Sequence, residues 1–113
     1  MSAITFNSRR VQVVTFGAAP VLNCDLGGVV TLSTALTSGI TWAAPSNVPP
    51  AGEKVTITMT QDGTGGRAVA WNAAYIFPTA WSNTGNTAGL VSEASFISNG
   101  ASLIAQGANV WHA

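Results

Sequence analysis

Apolar and polar residues alternate most regularly between residues 52 and 71. Across residues 55–60, each Val, Ile or Met is followed by a Thr, which is the period-two pattern of a strand with one buried face. The glycine-rich run 62–66 supplies the backbone conformations that a chain reversal needs. Alternation resumes up to Val69 and Trp71, so the pattern predicts an antiparallel hairpin with these two side chains on one face. We expect the rest of the chain to pack around this hairpin.

Shorter segments on both sides of the hairpin predict further strands. They fall at residues 4–6, 11–16, 22–26, 30–36, 40–42, 90–97, 101–106 and 110–113. Prolines at 45, 49 and 50 mark an extended loop, and Asn99 with Gly100 is typical of a two-residue hairpin turn. No stretch shows a sustained helical period. The chain is therefore predicted to be all-β, a small antiparallel β-sandwich or jelly roll of about eight short strands.

The length of 113 residues predicts one domain, residues 1–113, which is large enough to bury a single core. Residues 1–16 form either its first strands or an arm that contacts a neighbour. Six residues are predicted to have a structural role in turns. Asp62, Gly63, Gly65 and Gly66 belong to the first predicted turn, and Asn99 and Gly100 to the second.

The chain has very few charges for a globular protein. Charged residues make up 7% of the sequence, against about 25% in an average soluble domain, and the net charge is zero. Because a monomer relies on charge for solubility, a neutral chain that is 47% hydrophobic indicates that other subunits cover much of its surface. The alternative is a secreted monomer whose surface is rich in Thr and Ser.

Several functional classes are disfavoured by the same composition. Four basic residues form no stripe that could neutralise phosphates, so nucleic-acid binding is not expected. The single cysteine, Cys24, cannot form an intramolecular disulfide and is predicted to be a small core residue. No apolar run approaches the roughly 20 residues of a membrane span, and the N-terminus lacks the order of a signal peptide. We expect the chain to be made and folded in a cytoplasm.

The sequence offers no constellation that predicts catalysis. The acids Asp25, Glu53, Asp62 and Glu93 lie on separate elements, without the spacing of an acid/base pair. The only histidine, His112, adjoins the last residue and has no metal-binding partners in the sequence. The glycine-rich run lacks the Lys-Ser/Thr of a phosphate loop. We therefore predict no enzyme, no cofactor and no metal.

Binding through aromatic side chains is a stronger prospect. The four tryptophans could provide stacking faces for a sugar, with neighbouring Asn and Asp as hydrogen-bonding groups. Trp71 and Trp111 follow strand patterns and are predicted to be in the core, whereas Trp81 lies in a long connection and is the candidate for exposure. Arg9 and Arg10 are candidate contacts with a partner, and the alternative is a solvated turn.

From residue 23 onward, the order of motifs resembles a domain of tailed-bacteriophage virion proteins, found at the ends of tail fibres or as small separate structural proteins. The motif residues in this sequence are Asn23-Cys24-Asp25-Leu26, Pro49-Pro50-Ala51-Gly52, Thr60-Gln61-Asp62-Gly63-Thr64-Gly65-Gly66-Arg67, Val69-Ala70-Trp71 and Trp111. The resemblance implies an antiparallel β-sandwich without catalytic activity, commonly a homotrimer, that builds or decorates the particle.

Two positions in the virion are compatible with this resemblance. Because the chain starts at its own Met1 and has no long shaft, we expect a trimeric capsid decoration protein seated on the major capsid protein. The alternative is a tail-fibre or tail-tip module that binds host surface glycans, for which Trp81 or Trp42 should be exposed. A third possibility is a secreted cellular β-sandwich, which would be a stable monomer in solution.

Overall fold

The structure is a computed structural model that describes residues 10–83, 85–106 and 111–112. It contains a 3₁₀ helix at Cys24–Leu26 and eight strands: β1 (Val11–Val14), β2 (Val29–Leu32), β3 (Ile40–Trp42), β4 (Lys54–Thr60), β5 (Val69–Trp71), β6 (Tyr75–Ile76), β7 (Val91–Ser98) and β8 (Leu103–Ala105). The prediction of an all-β chain with about eight short strands is confirmed. In these described ranges, no helix has the length and apolarity to cross a membrane.

The strands form one large mixed sheet and one small sheet. The large sheet has six strands in the order β1-β2-β4-β7-β8-β6, and β3 pairs with β5 in the small one. The β4–β7 and β7–β8 pairs are antiparallel, whereas β1–β2, β2–β4, β6–β8 and β3–β5 are parallel. The predicted antiparallel architecture is therefore wrong in most pairs, and a sandwich or jelly roll is not confirmed. Parallel neighbours need a crossover, and the segment containing β3 provides it between β2 and β4.

The predicted hairpin between β4 and β5 does not exist. Ile57 of β4 lies opposite Val30 of β2 and Ala94 of β7, so both edges of β4 are taken by other strands. β5 pairs in parallel with β3, where Trp71 lies opposite Trp42. The glycine-rich run 62–66 thus connects the large sheet to the small one. Alternation predicts which side chains share a face, but it carries no information on which strand lies at the edge.

Two other local predictions meet different outcomes. Residues 22–26, expected as a strand, contain the 3₁₀ helix, whose first turn is capped by the Asn23 side chain accepting from the Asp25 N–H at 3.0 Å. β7 and β8 do form an antiparallel hairpin, although its loop is residues 99–102 rather than two residues. Within that loop, Asn99 Oδ1 accepts from Ala101 N (2.9 Å) and Ser102 N (2.7 Å). Residues 4–6 lie outside the described residues, as do Val110 and Ala113 of the predicted last strand.

The core lies on one face of the six-stranded sheet, beneath the small sheet. β4 shows the predicted alternation, with Val55, Ile57 and Met59 buried and the threonines between them partly exposed. β3 directs Ile40 and Trp42 into the same core, and Thr41 points outward. The face of the large sheet that faces this core is called the inner face below, and the opposite one the outer face.

Candidate functional site

The connection from β4 to β5 is organised by the side chain of Gln61. This residue is 1% exposed, and its amide bonds both backbone groups of one residue: Arg67 N–H donates to Oε1 at 3.0 Å, and Nε2 donates to the Arg67 carbonyl at 2.9 Å. A buried backbone N–H and C=O must find partners, and here a side chain supplies both. Gln61 therefore replaces the strand neighbour that a hairpin would have provided.

Asp62 holds the glycine-rich turn from inside. Its Oδ1 accepts from Thr64 N at 3.1 Å and from Gly65 N at 2.9 Å, and its Oδ2 accepts from Arg67 Nη2 at 3.0 Å. The hydrogen bond from the Arg67 side chain, followed by that from the Gly65 backbone, lowers the pKa of the Asp62 carboxyl below its ordinary value. The sequence motif from residue 61 to 67 is thus a network of internal hydrogen bonds.

The same loop packs closely against the segment from residue 85 to 90. Gly66 N donates to the Asn86 carbonyl at 2.6 Å, and Gly89 N donates to the Asp62 carbonyl at 3.1 Å. Gly65 has a φ of +72°, and a Cβ there would lie 2.3 Å from the backbone nitrogen of Ala88. Only glycine fits this approach of two backbones. The loop therefore fixes where the long connection after β6 lies.

Asn83, in that connection, joins β5 to Trp81. Val69 N donates to Asn83 Oδ1 at 2.9 Å, Asn83 Nδ2 donates to the Val69 carbonyl at 3.1 Å, and Trp81 Nε1 donates to the same Oδ1 at 3.2 Å. One amide thus closes an edge of β5 and orients an indole ring. The sequence analysis did not identify Asn83. The one feature that could have indicated its role is its position two residues after Trp81.

Trp71, at the end of β5, is the centre of an aromatic cluster. Five rings have their centroids within 6 Å of its own: Tyr75 (5.0 Å), Trp81 (5.2 Å), Phe77 (5.3 Å), Phe96 (5.5 Å) and Trp42 (5.9 Å). Trp111 extends the cluster through Trp81 at 6.4 Å. Most of these pairs are edge-to-face or tilted, the arrangements that ring quadrupoles favour.

Three rings of this cluster are partly accessible to solvent. Trp42, Tyr75, Phe96 and Trp111 are buried, whereas Trp71, Phe77 and Trp81 are half-buried and contact one another. We name these three residues the aromatic triad. The exposed residues beside it in sequence are mixed: Asn72 and Ser82 are polar, whereas Ala70, Ile76, Pro78 and Ala80 are apolar. Partly accessible aromatic rings with amide and hydroxyl groups nearby can stack against a flat apolar ligand face and hydrogen-bond its edges.

The cluster also contains buried polar atoms without partners among the described residues. These atoms are Trp71 Nε1, Tyr75 Oη and Trp111 Nε1. Burial raises the pKa of the Tyr75 hydroxyl, which therefore stays protonated. Unpaired buried donors carry a free-energy cost, so Trp71, Tyr75 and Trp111 are held by packing, whereas Trp81 and Trp42 also donate hydrogen bonds to Asn83 and Met59.

The structure separates the candidate residues predicted from the sequence. Trp81 lies in the aromatic cluster and is half-buried, and Trp42 is completely buried, so of these two only Trp81 offers a surface. Arg10 is exposed just before β1, and its carbonyl accepts from Val29 N at 3.0 Å. Arg9 lies outside the described residues. Nothing in the structure tests Arg9, Arg10 or Trp81 as partner contacts.

The residues that could carry chemistry include one exposed contact, between Glu93 and His112, and one buried cysteine. Glu93 Oε1 is 3.3 Å from His112 Nε2 at an exposed position. Cys24 is buried, and burial raises the pKa of its thiol to about 11, so it is not a thiolate near neutral pH. Across residues 10–83, 85–106 and 111–112, no group of three His, Cys, Asp or Glu residues could hold a metal ion.

Comparison with known protein families matches residues 24–102 to the family described as "Putative phage tail fibre C-terminal domain". The chain belongs to this family. The resemblance to virion domains of tailed phages is thereby confirmed, and membership indicates a virion-associated structural protein. Searches of curated proteins and of solved structures give no match. The match favours the tail-fibre alternative over the expected capsid decoration protein, for which it gives no support.

The matched span contains nearly all of the candidate site. It includes the Gln61–Arg67 network, Asn83 and the aromatic triad, whereas β1 and Trp111 lie outside it. The family's tail-fibre domain therefore coincides with the part of the chain that builds and exposes the aromatic surface.

Proposed function

We propose that this chain is a non-enzymatic module of a phage tail fibre and that its aromatic triad binds glycans of the host surface. The observation that carries the proposal is the set of three half-buried, mutually contacting rings, Trp71, Phe77 and Trp81, in a domain of the tail-fibre family. Sugar rings present apolar C–H faces, which stack on indole and phenyl rings, and polar edges, which hydrogen-bond to amides and hydroxyls.

The surroundings of the triad support a neutral ligand rather than a strongly charged one. The ionic groups nearest in sequence, Asp62 and Arg67, form an ion pair with each other at 3.0 Å. Asn83 Oδ1 accepts a hydrogen bond from the indole N–H of Trp81, so this ring is oriented before a ligand binds. A ring that is already oriented loses little conformational entropy on binding.

Calorimetric titration with purified host surface polysaccharide tests the proposal. We expect Trp81→Ala to abolish detectable heat of binding and Trp81→Phe to weaken binding about tenfold, because a smaller ring still stacks. Thr41→Ala, on the exposed outward face of β3, is the matched control and should bind as the parent does. Unchanged binding by a folded Trp81→Ala variant would overturn the assignment of the triad.

The position in the virion is tested separately by copy number. A tail-fibre module should be present in a handful of copies per particle, which mass spectrometry measures against the major capsid protein. Hundreds of copies would instead indicate a capsid decoration protein and would contradict this part of the proposal. Contacts of Arg9 and Arg10 with a neighbouring virion protein remain a prediction.

A further inference from the structure

The loop between β7 and β8 begins with an Asn-Gly pair, a sequence that can rearrange without an enzyme. The chain has eight asparagines, and Asn99 is the only one that a glycine follows. The glycine matters because it has no side chain to keep its backbone nitrogen away from the preceding side-chain amide. Asn99 and Gly100 are both exposed, and Gly100 has a φ of 93°. The pair is therefore open to water in the folded chain.

The reaction at such a pair is deamidation through a cyclic imide. The backbone nitrogen of Gly100 loses its proton to water or hydroxide and attacks Cγ of Asn99, so that a new C–N bond forms. The Cγ–Nδ2 bond then breaks, and this nitrogen takes up a proton and leaves as ammonia. Water opens the imide at either carbonyl and gives an aspartate or an isoaspartate, with no change in oxidation state. The first step thus needs a Gly100 nitrogen that is free to lose its proton.

In the structure, this nitrogen is bound by the side chain of the residue before Asn99. Gly100 N donates to Ser98 Oγ at 2.9 Å, and Ser98 Oγ donates to the Pro49 carbonyl at 2.6 Å. Ser98 is only 3% exposed, so its hydroxyl is held in place by the loop before β4. A hydrogen bond from an N–H stabilises the protonated form of that group and opposes the loss of its proton. The Ser98 hydroxyl therefore acts against the first step of deamidation.

The side-chain amide of Asn99 is also held by the loop. Its Oδ1 accepts from Ala101 N at 2.9 Å and from Ser102 N at 2.7 Å, and Asn99 N donates to the Ser102 carbonyl at 3.1 Å. The imide ring joins Cγ to the Gly100 nitrogen, so its formation requires the loop to leave the conformation that these bonds stabilise. Both reacting groups are thus restrained in the folded chain.

We propose that Asn99 is a site of spontaneous deamidation and that the Ser98 hydroxyl slows this reaction in the folded chain. Deamidation replaces a neutral amide with a carboxylate in a chain whose net charge is zero. Isoaspartate also adds one carbon atom to the backbone of the loop that connects Ser98 to Leu103. Leu103 lies opposite Tyr75 of β6, and Phe77 of the aromatic triad follows that strand. The proposal does not depend on glycan binding.

Incubation of the full chain at mildly alkaline pH tests the proposal. Peptide mass spectrometry measures conversion of Asn99 through the mass gained when an OH group replaces NH₂. The parent unfolded in urea should convert about tenfold faster than the folded parent, because its Gly100 N–H has no fixed acceptor. Folded Ser98→Ala should convert about fivefold faster than the parent, which corresponds to the loss of one hydrogen bond. Equal rates in the folded and unfolded parent would overturn the proposal.

Ser92→Ala is the matched control for Ser98→Ala. Ser92 is a second buried serine on the inner face of β7, and its hydroxyl has no partner among the described residues. The control should therefore convert at the rate of the parent. Circular dichroism establishes that both variants are folded. A rate in Ser98→Ala that is no faster than the rate in Ser92→Ala would contradict the role of the Ser98 hydroxyl.

Two further measurements separate this hydrogen bond from a general loss of stability, because Ser98→Ala also removes the bond to the Pro49 carbonyl. Conversion through unfolded molecules rises with urea even at low concentrations, since the unfolded fraction rises. We expect the rate in Ser98→Ala to be insensitive to low urea, and a steep rise would count against the proposal. Hydrogen exchange of the Gly100 amide, measured by NMR on the parent alone, should be slow for an exposed residue. Exchange as fast as in an unstructured peptide would overturn the proposal without any variant.

Discussion

The Gln61–Arg67 loop and the aromatic cluster lie next to each other in the chain but are stabilised by different interactions. In the loop, the side chains of Gln61 and Asp62 find hydrogen-bond partners within the loop itself. In the cluster, three polar atoms are buried without a described partner, and packing between rings dominates. The conformation of the loop is thus fixed by hydrogen bonds, whereas the arrangement of the cluster depends mainly on close packing of its rings.

This difference predicts how each region responds to substitution. Gln61 tolerates few substitutions, because its loss leaves the backbone N–H and C=O of Arg67 without partners. An aromatic surface tolerates a change of ring but not its removal, and its accessible side can accept a ligand. The loop therefore acts as a support, and the aromatic triad is the surface that it holds in position.

Removal of the central ring should have the largest effect on stability. Trp71→Ala deletes contacts with five neighbouring rings, and we expect it to lower the free energy of unfolding by about 4 kcal/mol. Trp71→Phe keeps a ring and removes a buried N–H without a described partner, so it should cost about 1 kcal/mol. Urea denaturation measures both values. Equal losses in the two variants would mean that a phenyl ring recovers none of the packing, which would contradict the role assigned to the ring contacts.

A single methyl group in the supporting loop should have the next largest effect. In Gly65→Ala, an alanine would have to adopt the positive φ of residue 65, and its Cβ would lie 2.3 Å from Ala88 N. We therefore expect the free energy of unfolding to fall by about 3 kcal/mol. Gly63→Ala is the matched control, since a Cβ there has no atom within 4 Å, and its effect should be about 0.5 kcal/mol or less. Thermal and urea unfolding of the pair provide the measurement. If Gly65→Ala were as stable as Gly63→Ala, the close backbone approach would be incorrect.

The smallest effect concerns the charge of Asp62 and depends on pH. The folded-state pKa of Asp62 is lowered from 3.8, so the ionised carboxylate stabilises the fold above that pH and the contribution is lost as the pH falls below it. Asp62→Asn keeps an oxygen that can accept from Thr64 and Gly65 but removes the ion pair with Arg67. Its unfolding free energy should therefore change less than that of the parent when the pH falls below about 4. Parallel acid-unfolding curves for the two proteins would show that the ion pair contributes nothing.

The aromatic site could be predicted only in part. Trp81, in a long connection, was the candidate for exposure, whereas the structure has it partly buried against the core and in contact with Trp71. The roles of Asn83 and Trp71 were not predictable, because Asn83 bonds Val69 across fourteen positions and Trp71 contacts rings from several elements. An asparagine in a polar connection has the same local sequence signature whether it is solvated or pairs with a strand.

The sequence by itself determined the short-range features. The alternation in β4 correctly predicted its buried residues, because side chains of a strand point to opposite faces with a period of two. Asp62 and Asn99 bond backbone groups two and three residues ahead, which a local motif can specify. The family resemblance rested on local motifs such as residues 60–67, which lie within the matched span.

Only the tertiary structure decided how the strands pair. Every residue but proline offers the same backbone N–H and C=O, so alternation gives no reason for β4 to pair with β2 and β7 rather than with β5. The choice depends on burying the inner faces of both sheets in one core, which moves β3 and β5 into the second layer and makes most pairs parallel. The strands and their faces are therefore local properties of this chain, whereas the strand order and the half-buried aromatic triad arise from its packing.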